Sequence, residues 1–118
     1  MKQASPSEAM QRKYPEWVIL AVARDPQGKP NVMPAGWGMV CSGDPRLVCV
    51  SVGLTRYTHR CIEATGEFVF AWAGETQADL VEYSGSCSGA DCSKFEEFRI
   101  PSAEPAVINV PLLAEAAA

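Results

Sequence analysis

The stretch "WVILAVARDPQGKPNVMPAG", residues 17 to 36, decides the fold because it holds two extended segments joined by a tight turn. The first segment is rich in β-branched and other apolar residues, which favour strands. The turn "DPQG" follows, with Pro26 at its second position and Gly28 at its last, an order typical of a β-turn. The stretch therefore predicts a β-hairpin.

The second arm of this hairpin runs into an irregular segment, "GKPNVMPAGWG" at residues 28 to 38. It carries Pro34, Gly36 and Gly38 around Trp37, although strand interiors avoid Pro and Gly because each weakens the hydrogen-bond ladder. We therefore expect this backbone to serve a purpose besides strand pairing. Trp37 has two interpretations: a cap on the core, or a surface that packs against a flat ligand.

Two further strands are predicted downstream. The run "RLVCVSVG" at residues 46 to 53 is apolar almost without interruption, which predicts a central strand buried on both faces. The run "EFVFAWA" at residues 67 to 73 alternates well enough to face a core on one side. Trp17 and Trp72 lie in apolar strand-like runs, so both are predicted to be core residues.

Two short helices accompany these strands. Thr55 is a candidate N-cap of the first helix and Gly66 is its candidate stop, while Thr76 is a candidate cap of the second. Residues 14 to 118 are therefore predicted to form one mainly β domain with short helices, either a small barrel or a sandwich. Residues 1 to 13 are polar and are predicted to be a flexible N-terminal segment.

Composition excludes several classes of function. The chain has 118 residues and a formal net charge of −4, whereas a nucleic-acid-binding surface needs a basic patch or stripe. No stretch approaches the ~18 continuous apolar residues of a membrane span, and the N-terminus lacks the apolar core of a signal peptide. We therefore predict no nucleic-acid or membrane partner and a cytoplasmic location.

The cysteines and the histidine predict no metal site. The chain has five cysteines without a CxxC pair, and His59 is its single histidine, so the usual ligand sets of a zinc site are missing. Reduced thiols that act as small apolar side chains fit this pattern better. Cys87 and Cys92, five residues apart in a polar loop, are the one pair considered for redox chemistry, although sequence gives no sign of the lowered thiol pKa that such chemistry needs.

The segment "SVGLTRYTH", residues 51 to 59, leaves a strand and begins a helix. The N–H groups and the dipole at a helix start attract anions, and the guanidinium of Arg56 suits phosphate oxygens. The alternative is an ordinary capped helix with a surface arginine. His59 is likewise either a structural residue or a functional one. Neither GxxxxGK[ST] nor a strand-associated GxGxxG occurs, so a nucleoside triphosphate or a Rossmann-type dinucleotide site is not predicted.

Taken together, "GKPNVMPAGW" (28–37), "DPRLVCVSVGLTRYTH" (44–59) and "YSGSCSGADCSKFEEF" (83–98) resemble the flavoredoxin branch of the flavin reductase-like proteins. The resemblance extends from about Tyr14 to Leu113. It implies an FMN-binding split β-barrel, usually a homodimer with the flavin near the subunit interface. Members of the family continue into further strands beyond the point where this sequence stops, so the barrel is expected to be incomplete at its C-terminus.

The resemblance also implies the residues of a flavin site and no catalytic side chain. It places three groups of residues around the cofactor: Asn31, Met33, Pro34, Ala35 and Trp37 along the flavin; Ser51, Arg56, Thr58 and His59 at its phosphate; and Cys87, Ser88 and Lys94 in the loop and helix that approach the ring or phosphate. Two features depart from the family. Thr often stands where this chain has Pro34 or Ala35, and Arg often stands where it has Ala90.

Three hypotheses for function follow. The first is an FMN protein that either reduces flavin or another acceptor with NAD(P)H, or carries electrons between protein partners. The second is a shortened split-barrel scaffold with little or no flavin binding, because fold alone does not fix function. The third is a thiol-redox protein that uses Cys87 and Cys92.

Overall fold

The computed structural model describes residues 3 to 118. Residues 1 and 2, part of the segment predicted to be flexible, lie outside the described residues. Within that segment, helix α1 spans Pro6–Gln11 and buries none of its side chains. It begins with a capping box, in which the Ser5 hydroxyl accepts the Glu8 N–H at 3.3 Å and the Glu8 carboxylate accepts the Ser5 N–H at 2.8 Å. Local capping alone therefore accounts for this helix.

The central sheet has three antiparallel strands, and the first of them in sequence lies between the other two. Strand β1 spans Ile19–Arg24, β2 spans Pro30–Ala35 and β5 spans Val69–Trp72. In the register, Leu20 lies opposite Pro34 on one side and opposite Ala71 on the other. The predicted hairpin is confirmed, and its second arm is the edge of the sheet.

The hairpin turn is held by Asp25. The Gly28 N–H donates to the Asp25 carbonyl at 2.9 Å, and Gly28 has a φ of +86°, which favours glycine. The Asp25 carboxylate accepts the backbone N–H groups of Gln27 and Lys29, both at 2.9 Å, and the Tyr57 hydroxyl at 2.8 Å. The turn is thereby joined to the helix that begins at Tyr57.

A second sheet pairs β3, Gly38–Gly43, with β4, Arg46–Val50. The prediction of a central strand at residues 46 to 53 is wrong, because β3 is the one strand partner of β4 among residues 3–118. Leu47 and Val48 are 51% and 42% exposed. The apolar run thus gives β4 two apolar faces, but no second layer of residues 3–118 buries them.

The helices lie close to where the sequence places them, with different caps. Helix α2 spans Tyr57–Thr65, and its N-cap is Arg56 rather than the predicted Thr55. Gly66 ends α2 with a φ of +71°, as predicted. A 3₁₀ turn precedes α3 in place of a Thr76 cap. The remaining elements are the turn Glu75–Gln77, α3 Ala78–Ser86, α4 Lys94–Glu97, β6 Ser102–Ala103 and β7 Leu112–Leu113.

The core forms around β1, whose residues from Ile19 to Ala23 are fully buried. One buried apolar cluster joins this strand to neighbouring strands, α3 and the C-terminal segment. Its members are Leu20, Val22, Val32, Ala71, Leu80, Ile100, Val110 and Leu113. Trp17 lies outside the core at 73% exposure, so its predicted burial is wrong. Its ring instead makes an edge contact with the half-buried Trp72, with the ring centroids 5.3 Å apart.

Close packing explains the irregular segment at residues 34 to 38. A Cβ on Gly38 would collide with the Ile19 side chain and lie 3.1 Å from Phe70, and a Cβ on Gly36 would collide with the Glu16 carboxylate. Pro34 is tolerated because β2 is an edge strand, where a missing N–H breaks no ladder bond. Gly38 therefore serves the packing of this chain itself, since its Cβ position also lies 3.1 Å from the Cys49 carbonyl oxygen, whereas at Gly36 only the flexible Glu16 side chain would have to move.

The described chain is mainly β with short helices, as predicted. Its three sheets, formed within residues 3–118, do not join into a closed barrel. No helix in the described part of the chain is both long and apolar enough to cross a bilayer. The same residues contain no group of three or more His, Cys, Asp or Glu side chains arranged to hold a metal ion.

The bond between Tyr57 and Asp25 generates a prediction about stability and pH. Burial, with the hydrogen bond to Asp25, raises the pKa of Tyr57 to about 12, so this stabilisation is complete below pH 10 and is lost as the pH rises towards 12. Tyr57→Phe should lower the free energy of unfolding by about 1–3 kcal/mol at pH 7. Urea unfolding should show the gap to the wild-type protein shrinking between pH 10 and pH 12.

The matched control is Tyr14→Phe, which alters a 61% exposed tyrosine. Its free energy of unfolding should stay within about 0.5 kcal/mol of wild type, as is usual for surface substitutions. A gap for Tyr57→Phe that stays constant from pH 7 to pH 12 would contradict the assigned role of the hydroxyl.

Candidate functional site

A cleft of about 780 Å³ opens between β2, the start of α2 and the segment that joins α3 to α4. It brings together all but one of the residues that the sequence predicts for a flavin site. Those lining it are Asn31, Met33, Pro34, Ala35, Trp37, Ser51, Arg56, Thr58, Cys87, Ser88 and Lys94. Three segments that are far apart in sequence thus converge on one concave surface.

Asn31 supplies the clearest polar feature of the cleft. It is 2% exposed, and its Nδ2 donates to the Thr58 hydroxyl at 2.9 Å, which links β2 to α2. Its Oδ1 is buried and has no hydrogen-bond partner among the described residues. A buried acceptor without a partner is costly, so this atom favours a ligand that brings an N–H or O–H donor.

The start of α2 forms the anion-attracting end of the cleft. Arg56, in extended conformation, is the N-cap, and no side chain in residues 3–118 caps the helix. The first-turn N–H groups of a helix lack partners within the helix, and its dipole places partial positive charge there. Ser51, Thr55 and Thr58 line the same region with hydroxyl groups. The arrangement suits a phosphate.

His59 is the predicted site residue that the structure does not bring to the cleft. It lies in the first turn of α2, where its Nδ1 is 3.2 Å from the Glu63 carboxylate at the i+4 position. Its backbone N–H donates to the Arg56 carbonyl at 3.1 Å. The imidazole is therefore engaged along the helix rather than in the cleft wall.

Small residues at the end of α3 form the opposite wall, and several were not singled out from the sequence. Gly85 and Gly89 line the cleft. A Cβ on Gly89 would collide with the Asn31 side-chain amide and lie 2.9 Å from the Tyr57 ring, so the loop approaches β2 as closely as glycine permits. The run "SGSCSG" at residues 84 to 89 was the available signal, because small residues mark close approach of the backbone.

Lys94 is buried in the cleft wall at 3% exposure. Its ammonium donates to the Val32 carbonyl at 2.9 Å and to the Ser84 carbonyl at 2.6 Å, and burial lowers its pKa. The side chain thus joins α4 to both β2 and α3. Proximity of Lys94 to a ligand was expected from the sequence, whereas its bonds to two backbone carbonyls were not.

A second cleft, of about 800 Å³, adjoins the first and shares Trp37 with it. Its walls are mostly apolar and include Trp17, Met39 and Val40, which are between 57% and 73% exposed. Trp37 itself is 60% exposed and stands between the two clefts. The protein therefore presents a polar cleft and an apolar surface side by side.

Comparison with known proteins identifies the class. A model of the flavin reductase like domain matches residues 10–118, so the chain belongs to this family. An uncharacterized protein of Archaeoglobus fulgidus is 38% identical over 87 residues, which are 74% of this chain and 49% of that protein. The uncharacterized YddH of Escherichia coli is 31% identical over 98 residues, 82% of this chain and 52% of that protein. The chain spans about half the length of these curated relatives.

Solved structures place the fold more narrowly. Flavoredoxin of Desulfovibrio vulgaris (Miyazaki F) superposes with a TM-score of 0.83 at 26% identity, over 98% of this chain and 62% of that one. An FMN-binding protein from Thermus thermophilus gives 0.81 at 28% identity, with the same coverage. A split-barrel protein from Shewanella frigidimarina gives 0.79 at 16% identity, over 97% of this chain and 59% of that one. The predicted flavoredoxin-like split-barrel fold is confirmed.

The bonds of Lys94 generate a second stability prediction. Lys94→Met leaves two buried carbonyls without a donor, so the free energy of unfolding should fall by about 2 kcal/mol or more. Lys13→Met is the control, because Lys13 pairs with Glu16 at the surface and such pairs contribute about 0–1 kcal/mol. Urea unfolding of both variants measures the difference, and equal losses would contradict a special role for Lys94.

Proposed function

We propose that this chain binds FMN in the polar cleft and acts as a flavin-dependent oxidoreductase of the flavin reductase-like kind. The observation that carries the proposal is the convergence of the cleft-lining residues on one space with an anion-attracting end and an unpartnered buried acceptor. Family membership and the likeness to an FMN-binding protein support the same cofactor. The residues present therefore fit a flavin that carries a phosphate.

In this proposal the phosphate lies at the start of α2. Arg56 would pair with the phosphate oxygens through its guanidinium, and the hydroxyls of Ser51 and Thr58 would donate to them. The first-turn N–H groups other than that of His59 would complete the binding. This set would offset the charge of the most polar part of the ligand.

The ring system would lie along β2. Asn31 would accept a hydrogen bond from a ligand N–H or O–H through its Oδ1, while its Nδ2 stays on Thr58. Pro34 has no N–H, so its position in β2 contributes shape and not a donor. Trp37, which stands between the two clefts, would cover the ring and limit the access of water.

Bound FMN would supply the electron chemistry, in steps of one or two electrons. The protein residues would hold and orient it, and no side chain is assigned the part of a catalytic acid or base. We propose NAD(P)H or a redox protein as the electron partner. The apolar cleft beside Trp37 offers a surface where either could approach.

We also propose that two copies of the chain associate through the second sheet. Val40 and Val48, which lie opposite each other across β3 and β4, are 62% and 42% exposed, and exposed apolar surface of this kind commonly marks an interface. A dimer would give β4 the second layer that its apolar sequence calls for.

The phosphate site is tested by Arg56→Gln. This variant should weaken FMN binding by about tenfold, equivalent to about 1.4 kcal/mol for a charge-assisted contact. Riboflavin, which lacks the phosphate, should bind the variant and wild type alike. Quenching of flavin fluorescence during titration gives both affinities.

Arg60→Gln is the matched control, because Arg60 lies on the same helix and does not line the cleft. It should bind FMN as wild type does. Equal weakening of FMN and riboflavin by Arg56→Gln would place the phosphate elsewhere. A wild-type protein that leaves FMN fluorescence unchanged would overturn the proposed function and favour the scaffold hypothesis.

Electron exchange and association are tested on the FMN-loaded protein. Bleaching of the flavin absorbance on stopped-flow mixing with NADH or NADPH is expected for a reductase, whereas no bleaching would favour a carrier between protein partners.

Sedimentation velocity should show a dimer, and Val48→Lys should shift it towards monomer because a buried unpaired charge is costly. A wild-type monomer at micromolar concentration would contradict the proposed dimer.

A further inference from the structure

Cys87 and Cys92 meet at the rim of the polar cleft. Cys87 follows the last residue of α3, and Cys92 lies two residues before α4. The chain between them folds back in one turn, in which the N–H groups of Asp91 and Cys92 both donate to the Ser88 carbonyl, at 3.0 and 3.1 Å. The two Sγ atoms are 2.7 Å apart, with both thiols reduced. An S–S bond of roughly 2.05 Å needs only a small further approach.

Both thiols are accessible to a small reactant. Cys87 and Cys92 are half-buried, and Cys87 lines the cleft, which opens to solvent. Cys61, by contrast, is fully buried under the first sheet. Closing a loop of so few residues costs little conformational entropy, so the pair is prepared to form an intrachain disulfide.

The surroundings give the two sulfurs different roles. The Cys92 thiol donates to the Ser88 carbonyl at 3.1 Å, and burial together with its contact to Cys87 raises the pKa of Cys92 to about 11. Cys92 therefore keeps its proton, which it donates to the Ser88 carbonyl. The buried ammonium of Lys94 attracts a thiolate on either sulfur and offsets the unfavourable C-terminal end of α3. Cys87 lines the cleft, whereas the Cys92 sulfur is bonded to the Ser88 carbonyl, so Cys87 is the sulfur that a substrate in the cleft meets first.

We propose that Cys87 and Cys92 form a thiol–disulfide exchange couple whose substrates are small-molecule disulfides. The Cys87 thiolate attacks one sulfur of the substrate, which forms a mixed disulfide and releases one thiolate. Cys92 then loses its proton and attacks the Cys87 sulfur, which closes the intrachain disulfide and releases the second thiol. One disulfide is reduced to two thiols and one protein dithiol is oxidised, so atoms and electrons balance.

The couple needs no flavin, and its test is separate from that of the proposed function. The reduced protein as purified is mixed with glutathione disulfide, quenched with acid at intervals, and examined by intact mass and peptide mapping. The wild-type protein should lose the thiols of Cys87 and Cys92 together and gain a link between them, with no glutathione retained on either of these two residues. FMN titration of the untreated protein reports on the flavin site, and a failure to bind FMN leaves the mapping result unaffected.

Variants assign the two roles. Cys92→Ser should retain one glutathione on Cys87, because the resolving thiol is gone. In Cys87→Ser the remaining Cys92 thiol should react with glutathione disulfide at least about tenfold more slowly than the wild-type pair. The double variant Cys41→Ser with Cys49→Ser removes the two exposed thiols of the second sheet and should behave like wild type. Circular dichroism checks that each variant is folded.

Two results would overturn the proposal, and both come from the wild-type protein. One is stable glutathione on Cys87 or Cys92 with no link between them. The other is the absence of any reaction at this pair under conditions in which the urea-unfolded protein reacts. A link that forms only between Cys41 and Cys49 would count as the second result.

Discussion

The complete burial of β1 is the constraint on which the rest of the structure depends. Residues from Ile19 to Ala23 have no exposed surface, and the strand carries a ladder on each side. Because both of its edges are hydrogen-bonded, β1 fixes β2 and β5, and β2 in turn is the wall of the cleft. The site is thus mounted on a sheet edge whose position is set by the most deeply buried segment of the chain.

The local elements followed from the sequence where short-range signals decide them. The hairpin was predictable because Asp25, Pro26 and Gly28 specify a turn, and the end of α2 because Gly66 adopts a positive φ. The burial of β4 was not predictable, since an apolar run indicates what a strand can bury against and not whether a layer is present. The predicted burial of Trp17 was wrong for the same reason.

The site followed in outline from the resemblance to a family, which placed its segments in order along the chain. What the sequence could not supply was contact between distant residues: the hydrogen bond from Asn31 to Thr58, and the bonds from Lys94 to the Val32 and Ser84 carbonyls. His59 stayed out of the cleft because its position on α2 directs it to Glu63. Neighbours in sequence say little about which face of a short helix meets a cleft.

The outer edge of β2 is poorly suited to pairing with a strand of another molecule. Pro30, Val32 and Pro34 alternate along the strand, so their backbone groups point to the same side. The two prolines have no N–H, and the Val32 carbonyl is taken by Lys94. An incoming strand would find no donor at either proline and no free acceptor at Val32. The residues that shape the cleft therefore also stop the sheet from growing at this edge, a protection that is independent of any ligand.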